Sequence, residues 1–138
     1  MEPWIEDALR TARVARLATV GADGATRLVP ICFVVIDGWI AGVVDHKPKR
    51  HQRLRRLDDI EATGSAAVLV DHYEEDWSRV WWIRVNGRAV VHREESAESK
   101  AARAALIAKY VQYRERPPSG AVYRIALDEV RAWRADPS

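Results

Sequence analysis

The dipeptide Asp37-Gly38 separates two apolar runs, Thr26 to Ile36 and Trp39 to Val44, by only two residues. A type I′ turn needs positive φ at both central positions, which Asp and Gly tolerate, so this spacing predicts a tight antiparallel hairpin. The first arm is apolar from Leu28 onward, and a strand that is greasy on both sides is expected to be covered on both sides. Gly21-Ala22-Asp23-Gly24 gives a second turn signal, placing the strand Val14 to Val20 just ahead of that arm.

Around this meander the periodicity predicts three helices. Trp4, Ile5, Ala8, Leu9 and Ala12 form an apolar stripe within Pro3 to Arg13. Leu54, Leu57 and Ile60 form another, which ends at Thr63-Gly64. Ser96 to Tyr113 is rich in alanine and reads as one long helix. Ser65 to Val70 is a fourth strand and Val80 to His92 a fifth. Ala121 to Trp133 is the sixth, after a linker containing Pro117-Pro118. In the fifth strand Trp81, Ile83, Val85 and Ala89 alternate with Trp82, Arg84, Asn86 and Arg88, so one side is core and the other meets solvent, a ligand or a second subunit. The pattern predicts a mainly β protein with α: a barrel of about six antiparallel strands flanked by three helices.

The 138 residues fit one domain, with 48% hydrophobic and 30% charged residues, the balance of a soluble globular chain. Cys32 is the only cysteine, which excludes an internal disulfide and a cysteine-based zinc framework. Met1 to Arg10 contains Glu2, Glu6 and Asp7 without an apolar core, and no apolar run reaches the roughly eighteen residues of a spanning helix. The cytoplasm is the expected location, with no membrane contact.

The net charge of +2 hides a strongly basic segment from Lys47 to Arg56. Pro48 suits the first turn of a helix, so Lys47, Lys49 and Arg50 are expected at a helix N-terminus. The macrodipole is positive there, and each misplaced cation costs roughly 0.3–1 kcal/mol. An anion, phosphate first of all, would resolve that conflict by binding both the free N–H groups and the basic side chains. A solvated basic face or contact with a nucleic-acid backbone is the competing reading.

No nucleophile elbow, HExxH motif or Gly-rich phosphate loop is present, so no catalytic side chain is assigned. His46 and His51 have a spacing that suits no common metal site. Three of the six tryptophans, Trp77, Trp81 and Trp82, fall within six positions. They read either as packing residues or as an aromatic wall beside a planar ligand. A phosphate clamp beside such a wall is what a phosphorylated heterocyclic cofactor needs.

The hairpin Arg16-Leu17-Ala18-Thr19-Val20-Gly21-Ala22-Asp23-Gly24 with Leu28-Val29-Pro30-Ile31-Cys32-Phe33-Val34-Val35 resembles the opening of pyridoxamine 5′-phosphate oxidase-like split β-barrel proteins. Asp71-His72-Tyr73-Glu74-Glu75-Asp76-Trp77-Ser78-Arg79-Val80-Trp81-Trp82 is similar to an actinobacterial branch associated with coenzyme F420, and the resemblance spans residues 13 to 133. It implies an FMN-binding-type split barrel forming a homodimer with cofactor sites between the subunits. The ring would lie against Val29, Pro30 and Ile31 and near Val43 and Val44, with Trp77 beside it. The phosphate would meet Lys47, Lys49 and Arg50, with Arg53 or Arg56 in addition.

The first functional expectation is therefore an oxidoreductase passing hydride between F420 and an organic substrate. The alternative keeps the fold with FMN, as a flavin reductase or pyridoxamine phosphate oxidase. The oxidase is disfavoured because the sequence ends soon after Trp133-Arg134. A third class is a non-catalytic cofactor carrier or a nucleic-acid binder; acidic Glu74-Glu75-Asp76 weighs against the latter.

Overall fold

The computed structural model describes residues 1–44 and 54–136. Its elements run α1 (Pro3–Thr11), β1 (Ala15–Val20), β2 (Thr26–Ile31), β3 (Val34–Ile36), β4 (Trp39–Val43) and α2 (Arg55–Thr63). They continue with β5 (Ser65–His72), a 3₁₀ turn (Trp77–Arg79), β6 (Trp81–His92), α3 (Ala97–Lys109), α4 (Val111–Glu115), β7 (Val122–Ala126) and β8 (Glu129–Arg134). All the strand pairings are antiparallel, in the order β2-β1-β5-β6-β7-β4-β3, with β8 also on β6.

Three expected elements divide. The apolar run Thr26 to Ile36 breaks at Cys32-Phe33, so β2 and β3 stand at opposite ends of the strand order although two residues separate them in sequence. Those residues span at most roughly 10 Å, so the sheet must curl until its ends meet, which makes it a barrel. Tyr110 organises this break: its hydroxyl accepts from Phe33 N (3.0 Å) and lies 3.0 Å from Arg13 O and 3.1 Å from Phe33 O. Tyr110 itself is extended, with φ −114° and ψ 120°, and thereby divides the long C-terminal helix into α3 and α4. Ala121 to Trp133 divides at Leu127-Asp128, because its halves pair with different parts of β6.

β6 holds the two halves of the sheet together. Along one edge it pairs with β5; along the other, Trp81 to Asn86 pair with β8 and Ala89 to His92 with β7. Gly87 stands at the switch, where an added Cβ would fall 1.8 Å from Ala126 O. The gap is closed by Asp128, whose carboxylate accepts from Arg88 N (2.8 Å) and from both Nε and a terminal nitrogen of the Arg88 guanidinium (3.0 Å each).

Local chemistry follows the sequence where the interactions are local. Asp37 and Gly38 have φ of 53° and 81°, as a type I′ turn requires. Gly64, at φ 70°, ends α2 with its N–H on Ile60 O at 2.7 Å. Ser96 and Ser99 form a reciprocal capping pair at the start of α3. The main core gathers Leu9, Leu17, Phe33, Ile40, Ile60, Val68, Ile83 and Ile125 inside the barrel, and a second cluster sits where α3 and α4 pack on β4 and β7. Buried Asp59 ties α2 to the first hairpin, accepting from Thr19 Oγ1 at 2.7 Å and from a terminal nitrogen of Arg27 at 3.2 Å.

Gly87→Ala forces a methyl group into the Ala126 carbonyl and is expected to destabilise the fold by about 3 kcal/mol or more. Urea unfolding checks this, and an unchanged midpoint would contradict the strand-switch account. His92, at the end of β6, accepts a 2.8 Å hydrogen bond from Arg124 Nε. Burial first, then the Arg124 charge, lowers its pKa from the ordinary 6.5, with Glu98 opposing. The unfolded chain therefore binds this proton more readily, so the contribution is complete above the unfolded pKa and is lost as pH falls through the lowered folded value. His92→Gln should flatten the stability profile between roughly pH 7 and 5, measured by thermal melts across that window.

Candidate functional site

The outward face of β2, β1, β5, β6 and β8 is where alternation places side chains that the core does not use. Two cross-strand rows are read from the pairing: Pro30, Arg16, Leu69, Arg84, Arg131, and next to it Leu28, Ala18, Ala67, Asn86, Glu129. Leu28 is 70% exposed and Trp133 47%. A groove of about 380 Å³ runs between the rows, lined by Arg16, Ala18, Leu28, Leu69, Trp82 and Arg84. Arg84 lies 5.8 Å over the Trp82 ring, and Trp133 is the cross-strand partner of Trp82. Arg84 and Arg131 stand directly opposite each other, a like-charge pair that is unfavourable by itself, and Glu129 lies 3.7 Å from Arg131 Nε as a partial counter-charge.

The second strand is therefore not covered on both sides within one chain. Among the described residues β2 is an edge strand, paired with β1 alone, and Pro30 fits because it has no N–H to give a further neighbour. Val29 and Ile31 turn inward, leaving Pro30 and Leu28 on the open face.

Val43 and Val44 also turn inward, to different places. Val43 joins the cluster under α3 and Val44 the main core, while Val44 N donates to Ala121 O at 3.0 Å. Val43 and Val44 fall on opposite faces of a segment buried on both, and Ile31 on the covered side of β2, so these three side chains are packing groups. Trp77 lies on the 3₁₀ turn, 77% exposed. Asp76 caps that turn, accepting from Ser78 N at 3.1 Å and from Ser78 Oγ at 2.6 Å. Trp81 instead packs edge-on against Trp4 at 6.4 Å and stacks with His72.

Lys47, Lys49, Arg50 and Arg53 lie outside the described residues, as do Pro48, His46 and His51. The described helix begins at Arg55, with extended Leu54 at its N-cap, so the basic residues of its first turn are Arg55 and Arg56. Arg56 extends over Tyr123 of β7, with its guanidinium carbon 5.9 Å from the ring centre. Its Nε is buried and has no hydrogen-bond partner among the described residues. A buried charged donor left unmatched costs more than about 1–3 kcal/mol, so this nitrogen fits an anionic ligand. Gly42 makes room for Tyr123, because a Cβ there would meet the phenol at 2.5 Å.

Arg16 and the outward Leu28, Leu69 and Trp133 were not singled out by the sequence reading. Their common face emerges only from the register of β1 and β8, although alternation had already put Trp82 and Arg84 on the polar side of β6. Among the described residues no cluster of His, Cys, Asp and Glu could hold a metal ion. No described helix is long and apolar enough to cross a membrane.

The strand order and the curled antiparallel sheet define a split β-barrel architecture. The chain belongs to the pyridoxamine 5′-phosphate oxidase family, whose profile matches residues 1–134. Among solved structures it is similar to a conserved hypothetical protein from Mycobacterium tuberculosis, with TM-score 0.74 and 19% identity over 97% of this chain and 84% of that one. It is also similar to HutZ, a heme storage protein from Vibrio cholerae, at TM-score 0.74 and 14% identity, covering 96% and 92% of the two chains. An FAD-binding protein from Mesorhizobium loti matches at TM-score 0.70 and 18% identity, covering 94% and 89%. At these identities the likenesses establish the fold. Among curated proteins, none matches the chain.

Proposed function

We propose that this protein is an oxidoreductase that binds coenzyme F420 between two copies of the barrel and passes hydride to or from an organic substrate. The observation that carries the reading is Arg56, the last residue of the basic segment: a buried guanidinium nitrogen in the first turn of α2 without a hydrogen-bond partner among the described residues. In this reading Arg56 acts with Lys47, Lys49, Arg50 and Arg53 on the phosphate, while Pro30 and Trp77 flank the ring. The cofactor supplies the hydride chemistry when bound; the chain orients it and excludes water. Two copies are proposed because Leu28, Leu69 and Trp133 leave one face of the sheet apolar and open. A protein built this way would work in the cytoplasm.

A flavin is the second reading, favoured by the FAD-binding neighbours from Mesorhizobium loti and Mycobacterium smegmatis. The Arg56 donor suits a phosphate of either cofactor.

Titrating F420, FMN and FAD separately into cofactor-free protein, and following tryptophan fluorescence, separates the readings. F420 is expected to bind most tightly, and Arg56→Ala to weaken it by about ten-fold or more, the effect of losing one charge-assisted hydrogen bond. Protein that purifies with bound yellow flavin and ignores F420 would overturn the first reading, and unchanged F420 affinity in Arg56→Ala would remove this residue from the site. Leu28→Glu places a charge on the open face; sedimentation is expected to show two chains for the unaltered protein and one for the variant. A single chain in both cases would refute the shared site.

A further inference from the structure

On another side of the molecule, away from the outward sheet face, a cavity of about 710 Å³ opens between α1, β3 and α3. Its walls are apolar, with Leu9, Val34, Ala105 and Leu127 among them, and Lys109 lines it as the last residue of α3. The volume falls within the range of small-molecule sites.

Lys109 is half-buried. Its Nζ donates to Phe33 O at 2.9 Å and lies 4.0 Å from the Phe33 ring centre and 5.4 Å from that of Tyr110. These contacts satisfy one of three ammonium donors and give the charge two aromatic faces. No carboxylate among the described residues pairs with it. Burial, reinforced by the Arg13 charge, pulls its pKa down to about 8, which leaves it mainly cationic at neutral pH. The other charged residues lining the cavity, Glu6 and Arg10, are exposed and opposite in sign, so neither gives the cavity a net charge.

A cation without a carboxylate partner, on a residue at the border of an apolar cavity, selects a ligand with one negative end and a greasy body. We propose that this cavity is a binding site for a small apolar monocarboxylate, with the carboxylate on Lys109 Nζ and the hydrocarbon part against Leu9, Val34 and Leu127. The site is separate from the proposed cofactor site, and neither depends on the other. The charge chooses the head group, because an alcohol of the same length fills the same space without pairing the ammonium.

Calorimetric titration of octanoate and of 1-octanol into the full chain tests this. Octanoate is expected to bind at one site per chain, and at least ten-fold more tightly than octanol. Lys109→Met should weaken octanoate by about ten- to a hundred-fold while leaving octanol unchanged, the range expected for one hydrogen bond between charged groups. Ala108→Trp keeps the lysine but obstructs the cavity beside it, and should weaken binding of both; it also decides the matter if Lys109→Met does not fold. Equal affinity for the acid and the alcohol, no octanoate binding at millimolar concentration, or undiminished octanoate binding in either variant would overturn the proposal.

Discussion

β6 is the member on which the rest of this structure depends. One strand of twelve residues carries β5 along one edge and shares its other edge between β8 and β7. That division is allowed because position 87 has no side chain, so the backbone at Ala126 can approach where β7 gives way to β8. Asp128 then takes up Arg88 N and the Arg88 guanidinium, and those bonds hold its own carboxyl below the ordinary carboxylate range. A strand shared in this way has one face turned into the barrel and the other outward. The candidate groove is built on the second.

The outward face joins two properties that a stable single chain seldom combines. It is apolar at Leu28, Leu69 and Trp133, and it is positively charged at Arg16, Arg84 and Arg131. Apolar area of this kind gains stability by being covered. Guanidiniums such as Arg16 and Arg84, for which no carboxylate pairs among the described residues, resist burial unless an anion comes with them; Arg131 has Glu129 at 3.7 Å. An anionic ligand held at a covered face satisfies both demands together. Elsewhere the same side-chain types are internally resolved: Trp39 carries the Arg124 guanidinium 4.2 Å and that of Arg88 5.5 Å from its ring centre, and Arg124 donates to His92.

Reading the chain as a sequence succeeded where one interaction settles the outcome. Asp37-Gly38 made the expected turn, Gly64 stopped α2, and Trp82 and Arg84 emerged opposite Ile83 and Val85. The run Thr26 to Ile36, apolar from Leu28 onward, predicts one doubly covered strand. It is two strands of different sheet edges, and its break is held by Tyr110, which lies 77 residues away from Phe33 in sequence. Nothing local distinguishes a covered strand from a broken one when both are apolar. The same holds for Ala121 to Trp133, whose halves pair with two different parts of β6.

The sequence by itself determined the strand and helix inventory in outline, the turn positions and the inward and outward sides of β6, because these follow from φ preferences and the two-residue repeat. Tertiary structure alone decided which strands became neighbours, that Val43, Val44 and Ile31 pack inward, and that Arg56 reaches Tyr123 with an unmatched nitrogen. It also set Lys109 against Phe33 at the border of an apolar cavity. Those outcomes depend on distant segments meeting in space, and neither residue spacing nor charge along the chain records which segments will meet.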